Sequence, residues 1–399
     1  MSNGPPKRMV VPMRARSPEE DHRAATPLEL FFDLVFVVAI AQAASGLHHG
    51  IADLHVAEAL LSYVMVFFAI WWAWMNFTWF ASAYDPDDVL YRLTVFVQLT
   101  GALILAAGVP TAFAEGDWRI GAIGYVIMRL AIVAQWTRAA RSDPDRKRTA
   151  YRYAGGVTCV QIAWVALVFG PTPLAWMTPL FFFLIAVELV IPAWAERASP
   201  TCWHRDHIAE RFGLLTIIVL GESILAATLA MQAATSEAGL TGPLAELAAG
   251  ALLIVFSMWW FYFYRPARDL MTTTRAVFTW SYGHYLVYAA GAAVGAGLAV
   301  NADFLTDHAA IGAFGADMAV AAPVALYLLT LWFLYEVRHP EVPTRGLGPV
   351  AVILVLLTPF TGHGVLLTGL ILAATLALKL AAGHRAAGRA EGRTDAPKS

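Results

Sequence analysis

Long apolar runs follow one another along most of this chain, and they constrain its fold more than any other feature. A helix rises 1.5 Å per residue, so about twenty residues cross the ~30 Å hydrocarbon core of a bilayer. The runs have that length and lack the short alternating pattern of barrel strands. We therefore predict an all-α fold, a polytopic transmembrane bundle of about 12 helices.

The predicted helices occupy a transmembrane domain of residues 26–383. The flanking residues 1–25 and 384–399 lack apolar periodicity, so we predict disordered cytoplasmic tails. The eleventh helix is the weakest prediction, because only Thr361–Gly364 separates it from the twelfth and the two would form a tight hairpin. The predicted helices cover residues 29–47, 56–80, 91–113, 119–139, 151–169, 173–194, 207–231, 244–264, 278–300, 309–335, 346–360 and 363–382.

The composition excludes a soluble globular protein. Of the 399 residues, 59% are hydrophobic and only 14% are charged, whereas soluble domains average about 25% charged residues. A lipid bilayer is therefore the expected partner, and we expect no nucleic acid partner and no cofactor. Cys159 in an apolar run and Cys202 in a loop predict neither a disulfide framework nor a zinc cluster.

The distribution of basic residues predicts the orientation in a bacterial inner membrane. If the N-terminus is cytoplasmic, all 27 Lys and Arg residues except Arg119 and Arg129 fall in the tails and loops on the cytoplasmic side or at the helix ends beside them. The positive-inside rule then favours cytoplasmic N- and C-termini. A wrong number of helices would destroy this alternation.

A weak internal repeat is also visible. Leu28–Phe31 opens the first predicted helix much as Ala209–Phe212 opens the seventh, and Trp clusters end the second and eighth helices. The pattern is consistent with two parallel six-helix halves, residues 26–195 and 205–383. Parallel halves are one architecture of secondary transporters.

Glu29 and Asp33 lie four residues apart at the start of the first helix, so they share one face. Glu29 is well explained by its favourable position at the positive N-terminal end of the helix dipole. Asp33 lies one turn deeper and requires a partner, which makes it a candidate for an ion or substrate pathway.

The loop before the third helix carries secondary candidates. Asp85 would cap the helix, Pro86 would take its first position, and Asp88 could pair with Arg92 one turn later. This structural interpretation is favoured over a functional one.

The seventh helix carries the densest set of ionisable residues. His207 and Glu210 share one face, and Arg211 and Glu222 are three turns apart on nearly the same face. Glu222 lies about 22 Å along the helix from His207 and thus near the bilayer centre. Gly221 beside it would permit close approach of a neighbouring helix or a local break. A carboxyl group there should be protonated, paired or hydrated.

Arg129 in the fourth helix lies at a similar depth. We hypothesise an ion pair between Arg129 and Glu222. The alternative is that each side chain meets a different polar group, such as Glu188 in the sixth helix or Asn76 in the second.

His284 near the start of the ninth helix has two interpretations. A single helical histidine is most often a hydrogen-bonded structural residue. Together with His207, Glu210 and Asp33 it could instead form a metal or proton site, although the paired motifs of di-metal bundles are absent. We therefore assign no metal ligands and no catalytic residues.

Two long motifs resemble the bacterial low temperature requirement A family. The first is Leu28–Gln42, which reads LELFFDLVFVVAIAQ, and the second runs from His207 to Ser223, with HIAERFGL followed by VLGES. Asp87-Asp88 with Arg92, and Gly283-His284-Tyr285, are similar to the family pattern too. The resemblance covers most of residues 25–380. It implies a multi-helix bacterial membrane protein named for a role in growth in the cold, without a settled biochemical activity.

Our leading hypothesis is a secondary transporter or permease for an unknown small solute or ion, with proton coupling as one mode. Glu222 would titrate or bind substrate and Arg129 would tune it. Asp33 would form an inner gate or ion relay with His207, Glu210, Arg211 and His284, and Glu29 is a further candidate for the substrate or ion pathway. One alternative is a membrane enzyme acting on lipid through Asp33, His207, Glu210 and His284. Another is a non-catalytic protein whose buried charges fix helix packing. Gly291 and Gly295 form a GxxxG pattern that suits intramolecular packing better than a homo-oligomer contact.

Overall fold

The computed structural model describes residues 9–17, 20, 23–271, 273–337 and 344–394. Within these residues the chain is all-helical and has no strand, which confirms the predicted fold class. The twelve α-helices are α1 Pro27–Ala52, α2 Val56–Ala83, α3 Val89–Ala114, α4 Arg119–Ser142, α5 Lys147–Phe169, α6 Leu174–Glu196, α7 Arg205–Ala238, α8 Gly242–Phe263, α9 Thr274–Leu305, α10 Ala313–Leu331, α11 Leu347–Leu357 and α12 Gly364–Thr394.

Eleven helices among the described residues are long and apolar enough to cross a membrane. The apolar segment Leu347–Phe360 is shorter, since α11 ends at Leu357 and a 3₁₀ turn, Thr358–Phe360, follows it. The eleventh helix, which was the weakest prediction from the sequence, is thus the one apolar α-helix among the described residues that is too short to be counted as a membrane span. A π-helical turn, Trp332–Glu336, continues α10, and a 3₁₀ turn, Ala267–Leu270, precedes α9.

The chain divides into two compact units. The first unit comprises Met1–Gly46 and Leu61–Leu215, and the second comprises Leu47–Leu60 and Thr216–Ser399. In the first unit α4 packs against α3 and α5, and α5 packs against α6. In the second unit α10 packs against α9 and α11, while α12 packs against α8 and α11. The unit boundaries lie inside α1, α2 and α7, and the parallel repeat stays a prediction.

The described residues before α1 differ from the disordered tail that we predicted for residues 1–25, of which residues 1–8 lie outside the part of the chain that the structure describes. Met13 is fully buried, and the guanidinium of Arg23 donates to the carbonyl oxygens of Ala81 and Ser82 at the end of α2. We call residues 9–17 and 23–26 the N-terminal strap. A cation at this position satisfies carbonyl groups that the last turn of a helix leaves free and complements the helix dipole. At the other end of the chain, α12 continues to Thr394, so residues 384–394 are helical where a tail was expected.

Glycine contacts explain how some helices approach closely. In the second unit the hydroxyl of Ser223 on α7 donates to the carbonyl oxygen of Gly291, and a Cβ on Gly295 would lie 2.8 Å from the Ser223 Cα. The GxxxG pattern therefore packs α9 against α7 within one chain. Gly221 was expected to serve a similar contact or a break, and that expectation is wrong. No atom of the described residues lies within 4 Å of a Cβ built on Gly221, and α7 is continuous.

Candidate functional site

Four ionisable side chains meet inside the first unit, and we call Glu29, Asp33, His207 and Arg211 the carboxylate network. The Arg211 Nη2 lies 2.6 Å from Asp33 Oδ1, and its Nη1 lies 3.4 Å from Glu29 Oε1. The Nε2 atom of His207 is 3.0 Å from the same Glu29 oxygen. None of the four side chains is more than 1% exposed.

Helical spacing explains how two short motifs build this network. Glu29 and Asp33 lie one turn apart on α1, and His207 and Arg211 lie one turn apart on α7. Residues with this spacing share a helix face, so each helix presents two groups to the other. The sequence identified all four residues, and the structure brings them together.

Glu29 has a second role at the start of α1. Its Oε2 accepts the backbone N–H of Thr26 at 2.8 Å, and the Thr26 hydroxyl oxygen accepts the backbone N–H of Glu29 at 3.3 Å. This reciprocal pair is a capping box, which satisfies two backbone donors at a helix N-terminus. The cap fixes one carboxylate oxygen of Glu29 and leaves the other for His207 and Arg211.

A third helix, α2, also donates a hydrogen bond to Asp33. The indole Nε1 of Trp74 on α2 donates to Asp33 Oδ1 at 2.7 Å, and Thr78 one turn later lies 3.4 Å from Arg211 Nη2. Asp33 Oδ2 is buried and has no hydrogen-bond partner among the described residues. The Nε and Nη1 atoms of Arg211 are also buried without a hydrogen-bond partner among the described residues. The network therefore retains both acceptor and donor capacity.

A second buried ion pair lies in the same unit and corrects one hypothesis. Arg129 Nη2 lies 2.6 Å from Glu188 Oε1, and both side chains are at most 2% exposed. The hypothesised Arg129–Glu222 pair is therefore wrong, and the alternative partner Glu188 is the observed one. Asn76, the other suggested partner, donates to the backbone carbonyl of Trp72 instead.

Aromatic donors complete this second pair. Trp72 donates to Glu188 Oε2 at 2.8 Å, and Trp164 donates to Glu188 Oε1 at 3.2 Å. Arg129 donates to the Tyr125 hydroxyl at 2.7 Å. The sequence placed these tryptophans only in a cluster at the end of the second predicted helix, so their hydrogen bonds to buried carboxylates were missed. The available signal was that Trp72 and Trp74 are two residues apart and point to opposite sides of the helix.

Glu210 and His284 do not belong to the carboxylate network. Glu210 is exposed, and its carboxylate accepts the backbone N–H of Ala25 at 3.1 Å. His284 lies in the second unit, where Nδ1 is 2.7 Å from the Trp280 carbonyl oxygen and Nε2 is 2.9 Å from the Tyr262 hydroxyl. These contacts fit the structural interpretation of His284. Among the residues searched, no group of three or more His, Cys, Asp or Glu side chains could hold a metal ion.

Glu222 is half-buried near the middle of α7. The neighbouring positions Gly221 and Leu225 are exposed, so this side of the helix is not enclosed by the described residues. Its predicted role in binding or titration stays a prediction.

The loop between α2 and α3 is built differently from our prediction. Asp88, not Asp85, is the N-cap of α3, because its Oδ1 accepts the Tyr91 N–H at 2.8 Å. Asp88 forms an ion pair with Arg138 at the end of α4, and Arg92 pairs with Asp87 at 2.8 Å. The expected Asp88–Arg92 pair is thus wrong. The sequence counted Arg138 only among the basic residues of the predicted cytoplasmic side, so its pairing with Asp88 was missed.

Asp85 connects this loop to the N-terminal strap. Its carboxylate lies 3.5 Å from Arg16 Nη1 and is only 4% exposed. Burial, with the nearby negative charge of Glu29, raises the pKa of Asp85 to about 6. Asp85 is therefore a titratable group at the loop end of the first unit.

Comparison with known proteins agrees with the motifs. The sequence profile of the bacterial low temperature requirement A protein (LtrA) matches residues 24–383. The uncharacterized protein RA0937 of Rhizobium meliloti (strain 1021) is 28% identical over 339 residues, which cover 79% of this chain and 78% of that protein. No solved structure matches the chain. Because the matched residues span nearly the whole chain, it belongs to the bacterial low temperature requirement A (LtrA) family.

Proposed function

We propose that the chain is a proton-coupled secondary transporter of a small solute in the bacterial inner membrane, with both termini in the cytoplasm. One observation carries the proposal: the carboxylate network buries three titratable groups around one guanidinium in a chain built of apolar helices. Ionisable residues in membrane-spanning helices are costly and mark ion pathways and proton relays.

The charge balance of the network supports proton exchange. With His207 neutral, two carboxylates face one guanidinium, so the network carries one net negative charge. A net charge is strongly unfavourable away from water, and one added proton removes it. Glu29, Asp33 and His207 are alternative acceptors for that proton. His207 and Glu29 are 3.0 Å apart, a distance suited to proton transfer.

The proposed orientation of the chain in the membrane rests on the positions of the basic residues and not on contacts within the structure. Nearly all Lys and Arg side chains lie in the tails, loops and helix ends on one predicted side. In that orientation the network lies at the cytoplasmic end of α1. It would then be the inner end of the proton path.

The test is a charge-movement recording on proteoliposomes that contain the full chain. We expect a transient current after a pH jump, enlarged by at least one solute of a panel of small neutral and charged compounds. Glu29→Gln should abolish it, because Gln removes the charge but can still accept the Thr26 N–H of the capping box. Glu246→Gln, at a partly exposed site beside His363, is the matched control and should keep the current.

Three outcomes would contradict the proposal in whole or in part. Folded parent protein without current under any condition would favour the non-catalytic alternative, in which the network only fixes helix packing. Equal currents in Glu29→Gln and the parent would remove the network from the proton path. Loss of current in Glu222→Gln alone would return the site to the middle of α7.

A further inference from the structure

A partly open cavity of about 60 Å³ is formed in the first unit by α2, α3, α4, α5 and α6. Protein interiors are close-packed, and voids larger than a water molecule are few. Small side chains leave this space open, namely Ala69, Gly108, Ala112, Gly121 and Ala122. Aromatic rings form much of the remaining wall: Phe68, Trp118, Tyr125, Trp164 and Phe181.

The Arg129–Glu188 ion pair holds two of these rings in place. Tyr125 accepts a hydrogen bond from Arg129 at 2.7 Å, and Trp164 donates to Glu188 at 3.2 Å. Their polar atoms are therefore engaged, and the rings offer hydrocarbon surface to the cavity. A site with pre-organised walls loses little conformational entropy when a ligand binds.

Gln161 supplies the one polar feature that is not satisfied. Its side chain lines the cavity and is 7% exposed. The Oε1 atom is buried and has no hydrogen-bond partner among the described residues. An unpaired buried acceptor is unfavourable, and a ligand with one N–H or O–H donor would satisfy it.

Size and charge restrict the ligand further. One water molecule requires a cavity volume of about 10–15 Å³. A cavity of about 60 Å³ therefore has room for a ligand of about four to six non-hydrogen atoms. No charged side chain is among the lining residues, and the adjacent ion pair is balanced. A charged ligand would thus be buried without a partner, which disfavours it.

We propose that the first unit binds a compact, uncharged, apolar or aromatic molecule with one hydrogen-bond donor, seated among Tyr125, Trp164 and Phe181 with its donor on Gln161 Oε1. No residue that lines the cavity belongs to the carboxylate network. The proposal therefore goes beyond the transport function and can hold or fail separately from it.

Pyrrole and furan are matched probes for this site. Both are five-membered aromatic rings of similar shape, but only pyrrole carries an N–H donor. Ligand-observed NMR with the full chain in lipid nanodiscs, corrected with empty nanodiscs, measures both affinities. We expect pyrrole to bind about tenfold more tightly than furan, the ratio that a single satisfied hydrogen bond can provide.

Three variants locate the binding. Ala112→Leu fills the cavity and should remove binding of both probes, whereas Ala107→Leu on the exposed side of α3 should not. Gln161→Leu should lower the affinity for pyrrole to that for furan. Equal binding of pyrrole to Ala112→Leu and the parent would assign the signal to lipid and overturn the proposal. Equal pyrrole and furan affinities in the parent would overturn the role of Gln161, which is measurable even if Ala112→Leu does not fold.

Discussion

The guanidinium of Arg211 is the only permanent positive charge in the carboxylate network, because arginine is not deprotonated in proteins. It contacts Asp33 at 2.6 Å and Glu29 at 3.4 Å. Trp74 and Thr78 on α2 add neutral donors and acceptors around it. Each carboxylate can thus lose its charge while Arg211 keeps a counter-ion in the other.

This asymmetry predicts unequal costs for two substitutions. Arg211→Met leaves two buried carboxylates without a cation and should lower the free energy of unfolding by about 3–5 kcal/mol. Asp33→Asn leaves the Glu29–Arg211 pair intact and should cost less than half as much. Thermal unfolding in one detergent measures both. Equal costs would show that Glu29 does not balance Arg211.

The raised pKa of Asp85, in the loop between α2 and α3, predicts that the free energy of unfolding depends on pH. Its pKa of about 6 exceeds the value of about 3.9 for an unfolded aspartate. Between these values the folded protein holds a proton that the unfolded chain has released. The free energy of unfolding therefore falls as the pH rises from about 4 to about 6 and then levels off.

Asp85→Asn removes this dependence. Relative to the parent, the variant should gain up to about 3 kcal/mol between pH 4 and pH 7, since one pKa unit corresponds to 1.36 kcal/mol. Unfolding curves across that range measure the difference. Parallel pH profiles for the two proteins would contradict the buried position of this carboxyl.

At this scale the sequence predicted which residues are buried charges better than it predicted their partners. Glu29, Asp33, His207 and Arg211 were identified because ionisable residues in apolar runs are rare. The Arg129 partner was missed, since depth along a helix does not specify which helices are neighbours. The Trp72 and Trp74 donors were missed because tryptophan in a membrane helix is commonly interfacial.

Most helix boundaries were predicted to within about five residues, because about twenty apolar residues satisfy a bilayer whatever their tertiary contacts. The predicted ends of α7 and α12, residues 231 and 382, fall well short of the observed Ala238 and Thr394, since both helices continue in more polar sequence. The N-terminal strap was not predicted. Its side chains bind distant groups, such as Arg23 on the α2 carbonyls, and such contacts leave no periodic signal. The apolar composition therefore predicted the membrane-spanning helices. It did not predict the N-terminal strap, which is held in place by tertiary contacts.

Close helix contacts predict opposite effects for two glycines. A Cβ on Gly124 of α4 would lie 2.4 Å from backbone atoms of Gly101 and Leu105 on α3. A Cβ on Gly155 of α5 would meet no atom within 4 Å in the part of the chain that the structure describes. Gly124→Ala should cost about 1–3 kcal/mol through overpacking. Gly155→Ala should gain about 0.5–1 kcal/mol from helix propensity.

Unfolding of the two variants in the same detergent tests this contrast. Each replacement adds one methyl group to a helix of the first unit, so each serves as the control for the other. A stabilising Gly124→Ala would contradict the close packing of α3 on α4.

In the whole molecule, apolar helices enclose titratable groups within a compact unit, and family membership extends over nearly the entire chain. The sequence profile over residues 24–383 identifies the family, and the similar protein RA0937 is uncharacterized. Within the first unit, buried titratable groups gather in the carboxylate network, and the proposed proton path rests on this feature.

The most direct test of the account compares Asp33→Asn with Asp317→Asn in the pH-jump recording on proteoliposomes. Asp317 is also buried, but among the described residues its carboxylate accepts a backbone N–H, from Gly364 at 3.1 Å, and forms no ion pair, so it serves as a structural control. If Asp33 lies on the proton path, Asp33→Asn should lose the proton current and Asp317→Asn should retain it, with both proteins folded. A current that survives in Asp33→Asn, or that disappears equally in both variants, would contradict the account.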